Sequence, residues 1–147
     1  LSRVGIEPAR KEIVPKGARR VILYAEEGFS KEKWPVENFV ALREMLGGAG
    51  VDVCLMRPPE ESLTVEGSLF FEDLADVKEF FGGGGVFVSN DSGMAHLAGA
   101  SGLTTITIFT GFDPAVWHPR GRNTSLRTRV DKVDIESLAG MVVGITR

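Results

Sequence analysis

The chain has 147 residues, 43% of them hydrophobic and 25% charged, with a formal net charge of −3. That length supports one hydrophobic core without disulfides or a structural metal, and the near-average composition excludes disordered, collagen-like and coiled-coil classes. The slight acidic excess excludes a broad surface for nucleic acid or anionic lipid, so any anion site must be local.

The single cysteine, Cys54, permits no intramolecular disulfide, and it reads as a buried thiol. No Cys/His cluster has zinc-ligand spacing, and a reducing, cytoplasmic setting is expected. No apolar run approaches the roughly 20 residues of a membrane-crossing helix, and nothing resembles a secretory signal. Residue 1 is Leu rather than Met, as expected for a piece of a longer protein.

Residues 1–20 carry Arg3, Arg10, Lys11, Lys16, Arg19 and Arg20 with no apolar period and read as a linker or hinge; residues 21–147 read as one domain. From Val21 onward, short apolar runs alternate with helical patterns, the mark of βα units in a mostly parallel sheet. Val21–Ala25 is the first predicted strand. Pro35 then opens a helix whose Val36, Phe39, Val40, Leu42, Met45 and Leu46 form an apolar stripe, stopped by Gly47 and Gly48. Val51–Met56 is the second strand and Leu69–Glu72 a third. Asp73 caps a helix with Leu74, Val77, Phe80 and Phe81 facing inward, and the four glycines 82–85 read as a flexible connector. Val86–Ser89 is the fourth strand, followed by a polar turn and a small-residue helix to about Gly99. Thr105–Phe109 is the fifth strand, Ser125–Arg129 an edge strand, and Asp134 caps a last helix lined by Ile135, Leu138, Met141 and Val142. The sum is an α/β, Rossmann-like doubly wound sheet of about six strands with four helices.

Ligands of open α/β sheets bind at the carboxyl ends of the strands, so the chemistry is sought in the loops there. The glycine run precedes its strand, which excludes a dinucleotide fingerprint, and no phosphate-binding loop of the G-x-x-x-x-G-K-[ST] type occurs. The sharpest feature is Ser89-Asn-Asp-Ser-Gly-Met-Ala-His96, a turn from a buried strand into a helix. Free N–H groups of Met94, Ala95 and His96 at the helix start would attract a phosphate, Gly93 would let it approach the backbone, and Ser92 and His96 could each add a donor. The same residues also suit a purely structural role, with Asp91 or Ser92 capping the helix and His96 packing on a neighbour. After the first strand, Lys31 and Lys33 precede Trp34-Pro35; they could reach a diphosphate or be solvated loop charges beside a packed tryptophan. Thr110–Pro114 forms either a second wall or an Asp-Pro turn.

The order of these loops, Lys-x-x-Trp-Pro, then Asn-Asp-Ser-Gly-x-x-His, then x-Gly-x-Asp-Pro, resembles the carboxyl-terminal domain of glycosyltransferase family 9, the ADP-heptose:lipopolysaccharide heptosyltransferases. The likeness runs from about Val21 to Gly121, and Asp91-Ser92-Gly93 with His96 is its most specific part. The resemblance implies one half of a GT-B glycosyltransferase, inverting and independent of metal, that binds an ADP-sugar or related nucleotide sugar and needs no cofactor. It places the donor diphosphate on Ser92, Gly93 and Met94, with Asp91, His96 and Lys31 or Lys33 beside it, and the nucleoside against Glu60 or Glu61. It puts the general base on an amino-terminal acceptor domain, so that this chain alone binds donor without turnover. The acceptor it implies is lipid-linked or a saccharide, with no nucleic-acid partner, at the inner face of the cytoplasmic membrane.

The sequence departs from the family at Glu26-Glu27-Gly28, where a Pro-Gly turn is usual, and at Glu32, where the lysine usually stands. A helix usual between Met56 and Leu69 is lost or shortened. Two further readings are a non-catalytic nucleotide- or phosphate-binding module of the same fold, favoured by the acidic first loop, and a receiver-like signalling domain. The last requires a lysine just after the fifth strand, where Thr110-Gly111 stands.

Overall fold

The computed structural model describes residues 20–26, 33–59, 65–90, 92–109, 123–127 and 134–146, without the side chains of 109 and 123–127. Of the expected linker, residues 1–19 lie outside these residues and Arg20 instead opens the first strand. In chain order the elements are β1 (Arg20–Tyr24), α1 (Val36–Gly48), β2 (Asp52–Met56), α2 (Leu74–Phe81), β3 (Val86–Asn90), α3 (Gly93–Ala100), β4 (Thr104–Phe109), β5 (Asn123–Arg127) and α4 (Ile135–Thr146). The sheet order is β2-β1-β3-β4-β5, and every pairing is parallel.

Parallel strands covered on both faces need side chains that are apolar in both directions, and β1 and β3 supply them. Val21, Leu23, Val86, Val88, Ile106 and Ile108 point to one face, where Phe39, Leu42 and Leu46 of α1 and Leu138, Ala139 and Val142 of α4 cover them. Ile22, Tyr24 and Phe87 point to the other, under Val77 and Phe81 of α2 and Ala95 and Ala98 of α3. Each large side chain removed completely from water in this way contributes about 1.5–3 kcal/mol. Helices on both faces make the sheet doubly wound, as the sequence suggested.

The third predicted strand is not formed: Leu69 makes only an isolated parallel bridge to Met56. The chain comes onto the sheet edge from a turn at Gly67, φ +77°, and leaves it as soon as Asp73 caps α2 by accepting the Ala75 N–H at 2.8 Å. With no further strand to pair, Phe70 stays 45% exposed under the Arg57 guanidinium, which lies 4.5 Å from its ring centre. If Leu69 is counted as a sixth strand, the order becomes that of the dinucleotide-binding doubly wound sheet. Leu74 also departs from expectation, at 62% exposed, because Val77 and Phe81 carry the buried face of α2. Pro35 stands one position before the helix it opens, as its N-cap.

The glycine run is fixed rather than flexible. Gly84 and Gly85 hold positive φ values of 79° and 121°, and a Cβ on Gly83 would come within 3.1 Å of the Arg20 guanidinium. That guanidinium donates to Phe80 O at 2.8 Å and to Gly84 O at 2.7 and 3.0 Å, and lies 4.6 Å from the Phe80 ring centre. It thereby ties the last turn of α2 to the glycine turn that leads into β3, sharing Phe80 O with the Gly83 N–H. Nearby Cys54 is half-buried, and burial pushes its thiol up despite the charge of Arg20. Ser137 donates its amide and hydroxyl to Asp134 at the start of α4, which holds that carboxyl below the usual carboxylate range.

Arg20→Met keeps the aliphatic bulk and removes three charge-assisted bonds, so it should lower unfolding stability by about 2–3 kcal/mol in urea denaturation. An unchanged midpoint would show that the glycine turn holds its shape without the guanidinium.

Candidate functional site

In this sheet the chain order reverses between β1 and β3: β1 leads outward to β2, whereas β3 leads to β4 on the other side. A crevice opens at such a point beyond the carboxyl ends of the two strands, and it is where open α/β sheets take ligands. The residues at its floor are Ala25 and Glu26 after β1 and Asn90 at the end of β3.

Asn90 ties the two walls together. Its side chain is 2% exposed; Oδ1 accepts the Trp34 N–H at 2.8 Å and Nδ2 donates to Trp34 O at 3.3 Å. A primary amide has one acceptor and two donor positions, so it can mimic a strand partner and satisfy both backbone groups of a single residue. Trp34 is itself fully buried, edge-on to Phe39 with ring centres 4.9 Å apart, and its buried indole Nε1 has no hydrogen-bond partner among the described residues. Trp34 therefore does act as a packing anchor, and it holds Lys33 beside the crevice. Lys33 donates to Glu26 Oε1 at 2.5 Å, a half-buried ion pair with side chains 27% and 18% exposed.

Two residues beyond Asn90, Ser92 forms the N-cap of α3. Its Oγ accepts the Ala95 N–H at 3.2 Å and its carbonyl accepts the His96 N–H at 3.4 Å. This corrects the expectation that the amides of Ala95 and His96 stand free, because the serine consumes both. Gly93 and Met94 remain, with no N–H partner among the described residues. The position a Cβ of Gly93 would fill is open space, so a ligand atom can approach this backbone. The helix start carries a partial positive charge of about half a unit. Ser92, Met94 and His96 are half-buried around it and Gly93 is exposed. The Ser92 hydroxyl still has a proton to donate while it accepts from the backbone.

The fold thus brings Lys33, Ser92, Gly93, Met94 and His96 to one end of the sheet. Lys31, Glu60, Glu61 and Asp91 lie outside the described residues, as does the Thr110–Pro114 loop. Sequence reasoning missed two contributors: the Asn90 brace and the pairing of Glu26 with Lys33. A buried asparagine at the end of an apolar strand is the one local signal of the brace, and nothing local marks its partner 56 residues away.

Residues 8–132 match the family model described as glycosyltransferase family 9 (heptosyltransferase). Among solved structures the chain is similar to the E. coli heptosyltransferase WaaC with ADP, at 16% identity and a TM-score of 0.69, covering 88% of this chain and 45% of that one. It is also similar to the glycosyl transferase family 9 protein from Veillonella parvula DSM 2008, at 18% identity and a TM-score of 0.61, covering 86% and 40%. The chain thus spans less than half the length of these two proteins. At such identities the likeness speaks to fold, and the fold is the Rossmann-like half of a GT-B glycosyltransferase. No curated protein matches. No helix among the described residues is long and apolar enough to cross a membrane.

Two substitutions separate brace from cap. Asn90→Ala leaves the buried N–H and C=O of Trp34 unpaired and should cost about 2–4 kcal/mol of unfolding stability, whereas Ser92→Ala should cost about 1 kcal/mol. Equal effects in chemical denaturation would contradict the ranking.

Proposed function

The chain belongs to glycosyltransferase family 9, and from that premise we propose that it binds the nucleotide-sugar donor of an inverting, metal-independent transfer. The observation that carries this is the start of α3: two amides without partners among the described residues, an open glycine and a histidine one turn on, set in the crevice between β1 and β3. A helix N-terminus so arranged suits a diphosphate. The ADP named with the similar E. coli structure supports a nucleoside diphosphate as the ligand class.

The chemistry assigned to these residues is stabilisation of the leaving group. An acceptor hydroxyl attacks the anomeric carbon, its proton passes to a general base, and the bond from that carbon to the diphosphate oxygen breaks with its electron pair going to the oxygen. The charge that develops is met by the amides of Gly93 and Met94, the Ser92 hydroxyl, the His96 imidazole and Lys33 or Lys31, preorganised donors that need no metal ion. Asp91 is assigned to orienting the turn, and Glu60 or Glu61 to the ribose hydroxyls. The general base and the acceptor site are assigned to the part of the relatives that this chain does not cover, so the chain on its own binds donor without turnover. A heptose donor, a lipopolysaccharide-core acceptor and a place at the inner face of the cytoplasmic membrane follow from the family as the working assignment.

A second reading, a phosphate- or nucleotide-binding module without transferase activity, is favoured by the Glu26 carboxylate that occupies Lys33. Calorimetric titration with ADP, UDP, GDP and inorganic phosphate separates the two. The donor site predicts one nucleoside diphosphate bound selectively, weakened by about 1–3 kcal/mol in His96→Ala and in Asp91→Ala while both variants still fold. Phosphate bound as tightly as every diphosphate would favour the module.

A further inference from the structure

The donor site proposed above has a cation that is already occupied. Lys33 is fixed in place by its neighbour Trp34, whose backbone is held by Asn90, and its ammonium is paired with Glu26, which follows β1 directly into the same crevice. Residues 26–33 hold three carboxylates, Glu26, Glu27 and Glu32, against two ammonium groups, Lys31 and Lys33. The segment carries more negative than positive charge, whereas the start of α3 offers a partial positive charge.

Resting on the donor-site reading, we infer that Glu26 is an affinity-determining residue that competes with the ligand's phosphate for Lys33. Binding is an exchange: the ammonium donates to the carboxylate in the empty site and to a phosphate oxygen in the filled one. The pair is sheltered enough from water for the exchange to matter, because its side chains are only 27% and 18% exposed, whereas a fully solvated pair contributes little. The exchange serves release of product. Breaking the glycosidic bond leaves the diphosphate with one more negative charge than it had in the sugar ester, which tightens its hold on every donor of the site. A carboxylate within reach of the lysine opposes that tightening and takes the lysine back as the nucleotide departs.

The test is a double-mutant cycle on this chain with ADP as the probe, read by calorimetry, with thermal unfolding of each ligand-free protein. Glu26→Gln should bind ADP about five- to tenfold more tightly than the wild type, the size expected for one half-buried ion pair, and should melt no higher without ligand. Lys33→Met should bind more weakly. In the Lys33→Met background, Glu26→Gln should change affinity less than about twofold, because no lysine is left to release. Glu26→Ala provides the same comparison should the glutamine variant not fold. If the wild type binds ADP and neither Glu26 variant binds it more tightly, the inference fails and the donor site stands. An equal gain in the Lys33→Met background also overturns it, since that would be repulsion of phosphate by Glu26 and not competition for the lysine. If no variant and no wild-type protein binds ADP, the donor reading falls and the inference with it.

Discussion

The geometry of the crevice depends on one buried side chain, the Asn90 amide, which replaces a strand partner for Trp34. Without it the segment entering α1 would have a buried N–H and C=O with nowhere to go, and such groups cost about 1–3 kcal/mol each when left unpaired. With it, the end of β3 and the entry of α1 become one rigid corner. Trp34 then fills the core against Phe39 on one side of that corner, and the two residues from Asn90 to Ser92 deliver the cap of α3 on the other. A site for a diphosphate needs donors that do not reorganise on binding, and this corner supplies that condition from packing and backbone bonding alone.

The electrostatics of the site are less generous than its geometry. The start of α3 offers a fixed dipole and the amides of Gly93 and Met94, whereas Ser92 has taken those of Ala95 and His96 for the helix itself. Capping thus takes two amides of the first turn and leaves two for the proposed ligand. Across the crevice the one described cation, Lys33, faces a carboxylate. The described residues of the proposed site therefore set a partial positive charge at the start of α3 against a cation already paired with a carboxylate.

Much of the fold was legible because β1 and β3 are buried on both faces and carry the apolar runs Val21–Tyr24 and Val86–Val88, while β4 alternates buried threonines with Ile106 and Ile108. Helices α2 and α4 were legible from Asp73 and Asp134, whose carboxylates do accept amide bonds. Edges were harder to read. Asn123–Arg127 carries a single apolar residue, Leu126, so the sequence placed that strand two residues late. Leu69–Glu72 looked like a strand because apolar residues there do pack, on α2 and under Arg57, without a ladder to join. The glycine run looked loose because its restraint comes from Arg20, more than 60 residues away in sequence. At the site, the Ser92 cap and the exposed Gly93 were readable from their turn, while the Asn90 brace and the Glu26–Lys33 pair are long-range or loop contacts that no periodicity encodes.

A nucleoside diphosphate is proposed to bind in the crevice between β1 and β3, beside the corner that Asn90 and Trp34 make. The most direct measurement is titration of ADP into the isotopically labelled chain, followed by amide chemical shifts in nuclear magnetic resonance. Binding there should put the largest saturable changes on the backbone amides of Gly93, Met94, Lys33 and Trp34, with α4 unaffected. Saturable changes confined to α4 or to the outer edge at Leu69 and Phe70, with Gly93 and Met94 unmoved, would contradict it.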